Sequence, residues 1–167
     1  MAETIAVRAA RPSDLAAVDA LLARSYAVQV RADYPPSVMV TALPLLTRAN
    51  PKLLASGTYH VAEDEAGAII GAGGWTTIGP QGGRRLGVGH IRHLVTDHRR
   101  TRRGIGTGVM TRIVDQARGA GMRALDCLST RTAVPFYADI GFQAVGPVEV
   151  SLRPGIVFPA VRMIRRL

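Results

Sequence analysis

A single cysteine, Cys127, excludes an internal disulfide and fits a reducing cytoplasm. One lysine, Lys52, leaves arginine to carry nearly all the positive charge. Acidic residues number 12 against 21 basic ones, a net charge of +9, which ordinarily raises nucleic acid as a partner. Three phenylalanines, four tyrosines and one tryptophan are too few for a base-stacking surface, so nucleic acid is a minor alternative. No run approaches the roughly 20 apolar residues of a membrane span. The opening Met-Ala-Glu-Thr-Ile-Ala-Val-Arg is interrupted by charge and does not read as a secretory leader. No His/Cys/Asp cluster has metal-ligand spacing and no Gly-x-Ser-x-Gly elbow occurs, so no metal and no serine-hydrolase site are expected. Neither a repeat nor a linker breaks the 167 residues, which predicts a single domain over 1–167 with one core.

What the chain does have is concentrated in residues 95–108, Val-Thr-Asp-His-Arg-Arg-Thr-Arg-Arg-Gly-Ile-Gly-Thr-Gly. A β-branched strand runs into an arginine-rich turn, and a Gly-x-Gly then opens an amphipathic helix. Ile105, Val109, Ile113 and Ala117 recur every four residues as a core-facing stripe, and Gly119-Ala120-Gly121 stops it. Such a turn converges backbone N–H groups, a positive helix end and guanidinium charges, which together suit a pyrophosphate. Arg99 to Arg103 would neutralise it.

Three phosphate-binding loops fit parts of this pattern. A P-loop needs Lys-Ser/Thr after its glycines, and Lys52 is nowhere near. A Rossmann turn needs a third glycine where Val109 stands, although Asp126 falls at a suitable distance for a ribose contact. The third is Gln/Arg-x-x-Gly-x-Gly/Ala, here Thr101-Arg102-Arg103-Gly104-Ile105-Gly106, with Thr101 departing from the usual Gln or Arg. Residues 130–142, Thr-Arg-Thr-Ala-Val-Pro-Phe-Tyr-Ala-Asp-Ile-Gly-Phe, match Asn-x-x-Ala-x-x-Phe/Leu-Tyr-x-x-x-Gly-Phe at Ala133, Phe136, Tyr137, Gly141 and Phe142, with Thr130 in place of Asn. In this order the two blocks resemble the signature of the GNAT N-acetyltransferases, whose loop binds coenzyme A.

Local patterns place a strand at 4–9, a helix from Arg11-Pro12-Ser13-Asp14-Leu15 with Ala17, Val18, Leu21 and Leu22 on its apolar face, and a second apolar helical stretch after Pro35-Pro36, through Leu46 and ended by Asn50-Pro51. A hairpin over 58–64 and 68–77 follows, then strand 88–96, helix 104–118, strand 123–129, helix 133–140, and strands near 142–152 and 156–165. The resemblance implies an α/β (α+β) GNAT fold: a central mixed, largely antiparallel sheet flanked by helices, with 88–96 and 123–129 as a splayed parallel pair.

It implies acetyl-CoA as cosubstrate, bound by Leu94, Val95, Thr96, Arg102, Arg103, Gly104, Ile105, Gly106, Thr107, Thr130 and Phe136. The backbone of Leu94 to Thr96 would supply the oxyanion donor, and Tyr137 would donate to the leaving sulfur as general acid. His90, at the start of strand 88–96, is the candidate base, directly or through water. On strict alternation His90, Arg92, Leu94 and Thr96 share one face of that strand, and Ile91, His93 and Val95 the other. His93 then reads as packed, His98 as a solvated loop residue and His60 as a strand residue. Cys127 reads as a small apolar filler rather than a nucleophile. The acceptor side would draw on Tyr26, Arg31, Tyr34, Met39 and Leu43, with Trp75 and the 79–89 loop nearby. An apolar second helix with few charges points to a small, partly apolar amine, or to burial in a homodimer. The expected activity is acetyl transfer to a primary amine of a small molecule by direct attack in the cytoplasm. A protein amine, or a non-catalytic acyl-CoA sensor, is the alternative.

Overall fold

Seven strands form one sheet in the order β1-β2-β3-β4-β5-β7-β6, here described from a computed structural model over residues 4–100 and 103–167. The strands are β1 (Ala6–Ala9), β2 (Tyr59–Glu63), β3 (Ile69–Thr76), β4 (Val88–Thr96), β5 (Ala124–Ser129), β6 (Gln143–Arg153) and β7 (Ile156–Arg166). Every neighbouring pair is antiparallel except β4 and β5. The helices are α1 (Leu15–Val30), α2 (Pro36–Thr41), α3 (Leu43–Leu46), α4 (Pro51–Leu54), α5 (Ile105–Gly119) and α6 (Val134–Asp139). Among the described residues no helix is long and apolar enough to cross a membrane.

The stripe Ile105, Val109, Ile113 and Ala117 buries α5 on one face of the sheet, against Ile70, Trp75, Ile91 and Leu125. On the other face Val18, Leu21 and Leu22 of α1 pack on Tyr59, Val61, Ala72 and Val95. A third cluster joins Val30, Tyr34 and Leu43 to Val150, Phe158 and Ala160. The stretch expected as one helix through Leu46 is two, α2 and α3, because Pro44 lacks an N–H and starts a new turn. Asn50-Pro51 opens α4 instead of only ending a region: the Asn50 side chain accepts from the N–H groups of Lys52 and Leu53.

Two irregularities shape the sheet. Parallel pairing of β4 with β5 covers only Val88 to His90 against Ala124 to Asp126. Beyond that the two strands have no ladder between them, which is the splay that the resemblance implied. The second is a bulge: Ala72 pairs with Val95 and Gly74 with Arg92, so His93 and Leu94 both stand opposite Gly73. His93 takes φ +44°, the left-handed region.

The bulge corrects the alternation expected for β4. Arg92 and Val95, facing the same register as Gly74 and Ala72, lie with His90 on the α1 face, whereas Ile91, Leu94 and Thr96 lie on the α5 face. Leu94 and Thr96 are therefore not face-mates of His90.

Candidate active site

The divergence of β4 and β5 opens a cleft of about 1610 Å³. One end meets the start of α5, and the other reaches α1, α3 and the hairpin of β6 and β7. From Ile91 onward the β4 edge has no strand beside it, so its backbone groups face the cleft. Three side chains fix that edge. Tyr59 donates its hydroxyl to the His93 carbonyl at 2.8 Å, Tyr26 donates to the Leu94 carbonyl at 2.9 Å, and the Gln29 amide donates to the Thr96 carbonyl at 2.9 Å. With these carbonyls engaged, N–H groups are what the edge chiefly offers a ligand.

The turn after β4 is tied down by Asp97, which is only 1% exposed. Its N–H donates to Ile70, and its carboxylate accepts from the Arg99 N–H and guanidinium at 2.9–3.1 Å, with Arg24 3.5 Å away. The Arg99 guanidinium beside it holds this carboxyl well below the usual range. Arg99 is thus held by Asp97, and Arg100, which also lines the cleft, pairs with Asp64 at 3.1 Å. Arg103 lines the cleft; Arg102 lies outside the described residues, as does Thr101.

Gly104 enters α5 at φ +75°, where a side chain is strained. The first N–H groups of α5 have no carbonyl before them in the helix. Gly106 answers a different demand. A Cβ there would lie 3.0 Å from the Phe136 ring and 3.3 Å from Thr96. The glycine of the first sequence block is thus shaped by the phenylalanine of the second. Leu94, Val95, Thr96, Gly104, Ile105, Gly106, Thr107, Thr130 and Phe136 all line the cleft, so the structure brings together every described residue expected to hold the cofactor. Thr130, standing where Asn is usual, still accepts from the Ala133 N–H ahead of α6, at 3.1 Å.

Tyr137 is buried at the cleft wall, edge-on to Phe136 and Phe142. Its hydroxyl, the Cys127 thiol and the Tyr26 phenol lie close enough to act on one another's ionisation. Burial pushes both phenols up, so they keep their protons through the physiological range. The same desolvation pushes the Cys127 thiol up to about 12, leaving almost no thiolate at pH 7.

The histidines divide unexpectedly. His90 packs its ring under the Gly79–Gly83 turn, where a Cβ on Gly79 would come within 3.2 Å, and its Nε2 is buried without a partner. It is absent from the cleft lining, whereas His93, expected to be packed, is in it. Burial pulls His93 down to about 4 and His90 below its ordinary value, so both imidazoles are neutral at pH 7. His98 contacts the Ser25 hydroxyl at 3.3 Å. His60 shares the Gln116 carbonyl oxygen with the Trp75 indole N–H, both at 2.9 Å. Trp75 is therefore core against α5 and not part of the acceptor side.

Of the acceptor candidates Tyr26 and Leu43 line the cleft, and Arg31, Tyr34 and Met39 do not. Tyr34 stacks on Phe158 at 4.5 Å and donates to the Pro159 carbonyl, a packing role. Sequence reasoning gave no function to Gln29, Tyr59, Asp97 or Arg92. Only Asp97, at the strand-to-loop junction, carried a local signal. Among the described residues no group of His, Cys, Asp and Glu could hold a metal ion.

The family model for the acetyltransferase (GNAT) domain matches residues 43–163. Glucosamine 6-phosphate N-acetyltransferase 1 of Oryza sativa subsp. japonica is 35% identical over 111 residues, 64% of this chain and 64% of that relative. The match thus spans under two thirds of the relative's length. A GCN5-related N-acetyltransferase from Rhodopseudomonas palustris superposes with a TM-score of 0.77 at 21% identity, covering 100% of this chain and 98% of that one. The PaiA N-acetyltransferase from Thermoplasma acidophilum, solved with coenzyme A, gives 0.72 at 12% identity, covering 98% and 99%. These two likenesses establish the fold, and the family match over residues 43–163 settles the kinship: the chain belongs to the GNAT acetyltransferase family.

Proposed function

We propose that this chain is an acetyl-CoA-dependent N-acetyltransferase that moves the acetyl group to a primary amine of a small molecule by direct attack in a ternary complex. One observation carries the reading. The parted β4 and β5 strands place the bulged β4 edge, the start of α5 and the Tyr137 wall around one cleft. Acetyl-CoA supplies the activated acetyl group; the chain binds, orients and moves protons. N–H groups at the start of α5, with Arg103, take the pyrophosphate, and Gly106 lets it approach. The β4 edge from Leu94 to Thr96 receives the extended arm, and an N–H at the bulge stabilises negative charge on the thioester oxygen. The Tyr137 phenol, buried at the cleft wall and kept protonated by that burial, would donate to the departing sulfur.

An alkylammonium has a pKa near ~10.4, so its neutral form at pH 7 costs roughly 4.6 kcal/mol. The positive cleft, with Arg92 and Arg103 on its walls, favours shedding that proton. It leaves through water, and the neutral imidazole of His93 is the one that lines the cleft. The raised thiol of Cys127 argues against an acyl-cysteine step. The relative in rice acts on an amino sugar phosphate by its name, which supports a small-molecule acceptor. The lone buried thiol suits a cytoplasmic setting.

The test is calorimetric titration with acetyl-CoA, desulfo-CoA and dephospho-CoA, followed by thiol release with an amine panel. Saturable one-to-one binding with amine-dependent thiol release is the expected result. Absence of binding at hundreds of micromolar overturns the reading, and binding without turnover on any amine leaves a sensor.

A further inference from the structure

The reaction above uses Arg92 only as a positive charge on the cleft wall, and its guanidinium offers more than that. It stands on β4 immediately before the bulge, half-buried, and lines the cleft. Its only hydrogen bond among the described residues runs to the Thr76 hydroxyl, at 3.1 Å. That hydroxyl gives its own proton to the Ile78 carbonyl at 2.6 Å, so a lone pair is held towards Arg92 and the guanidinium is aimed. One of five guanidinium N–H donors is used, and the other four remain for a ligand.

Among the described residues no carboxylate forms an ion pair with Arg92. Asp126 on the neighbouring strand already accepts three bonds from Arg162 at 2.7, 3.0 and 3.3 Å and has Arg85 at 3.9 Å. The groups whose charges reach His90 from the surrounding elements are Arg85, Arg92, Arg162 and Asp126, so cations outnumber the single acid there. Burial alone acts on Arg92, and it disfavours the charged form. A cation kept partly dry without a counter-ion is costly, unless a ligand supplies the anion. The cleft is also walled by a cluster of Leu43, Leu46, Leu128, Val150, Leu152 and Phe158, whose side chains offer no competing polar contact.

We propose that Arg92 recognises an anionic group on the acceptor, so that the substrate is a primary amine bearing a carboxylate or phosphate on a short, partly apolar body. The planar fork grips two oxygens of either anion. This rests on the acetyltransferase reading and deepens its acceptor side.

The experiment compares matched acceptors by thiol release from acetyl-CoA: glucosamine 6-phosphate against glucosamine for phosphate, and leucine or phenylalanine against isopentylamine or phenethylamine for carboxylate. One anionic member is expected to exceed its neutral partner by about tenfold to a hundredfold in kcat/KM, the worth of one charge-assisted contact pair. Which pair shows the preference names the anion. Arg92→Ala brings that ratio towards one, and Arg92→Lys, which keeps charge without the fork, leaves it between. Acetyl-CoA affinity and melting temperature, measured on each variant, separate a lost contact from a damaged fold. If no pair turns over, the same pairs are titrated into coenzyme A-saturated protein. Selective binding of an anionic member, lost in Arg92→Ala, supports the proposal. Equal handling of both members, no binding at millimolar concentration, or a preference that survives in Arg92→Ala overturns it. Loss of acetyl-CoA binding by the unmodified protein would instead overturn the acetyltransferase reading.

Discussion

Replacing Gly106 with alanine asks whether the contact between the two sequence blocks sets the cofactor loop. The new Cβ would sit 3.0 and 3.2 Å from two Phe136 ring carbons and 3.3 Å from a Thr96 methyl. Carbon atoms rest at about 3.5–4.0 Å, so the ring must retreat by roughly half an ångström. Phe136 lines the cleft and meets Tyr137 edge-on with centroids 5.3 Å apart, so its retreat reaches the buried phenol. Overpacking of this kind costs about 1–3 kcal/mol, and alanine returns at most about 1 kcal/mol of helix propensity. The net is a loss of about 0–2 kcal/mol, or up to about 8 °C in melting temperature for a domain of this size. Coenzyme A should suffer more, because the methyl also keeps phosphate oxygens from the first helical N–H groups. Losing one charge-assisted contact weakens affinity by about tenfold to a hundredfold. Gly108→Ala is the control, since its Cβ meets nothing nearer than a Val7 methyl at 3.8 Å. It should raise stability by up to about 1 kcal/mol and leave coenzyme A binding as it was. Thermal unfolding and calorimetric titration read both effects. If Gly106→Ala behaves like Gly108→Ala in both assays, the Phe136 contact does not shape the loop.

Tyr137→Phe should lower kcat by about 10²- to 10⁴-fold while coenzyme A affinity stays within a few-fold, measured by thiol release and calorimetry; an unchanged kcat removes the phenol from the reaction. Stability should fall with acid in a window set by His93. Its pKa is about 4 when folded and ~6.5 when unfolded, so the unfolded chain binds the extra proton first. Its contribution is complete above pH ~6.5 and drains away as pH falls towards about 4. His60 and His90, also lowered, add to the same slope. His93→Asn, which tolerates a left-handed φ, should make urea midpoints between pH 7 and 4 shallower; an identical slope refutes the assignment.

What the sequence disclosed was chemistry written locally. The four-residue stripe of α5 and its stop were legible because one face of one helix is read from consecutive residues. Gly104 and Gly106 were legible as a pair, although one answers to backbone conformation and the other to a ring arriving from α6. The bulge was not legible. Val88–Thr96 reads as unbroken alternation, and only pairing against β3 shows that Gly73 faces two residues at once. The nearest hint was the Gly-Ala-Gly-Gly run of β3. A Cβ on Gly73 would lie 2.5 Å from the Leu94 side chain, so the space for the bulge is recorded on the neighbouring strand. Arg92 was hidden for a related reason. An arginine in a strand carries no signal by itself; what distinguishes this one is the lack of an acidic partner among the described residues, while Asp126 is held by Arg162 from a strand 36 residues further on. The apolar wall of the cleft is likewise assembled from α3, β5, β6 and β7. A loop that grips one invariant cofactor group can be spelled in consecutive residues, whereas a pocket for a variable acceptor is composed from distant elements and becomes readable only once the chain has folded.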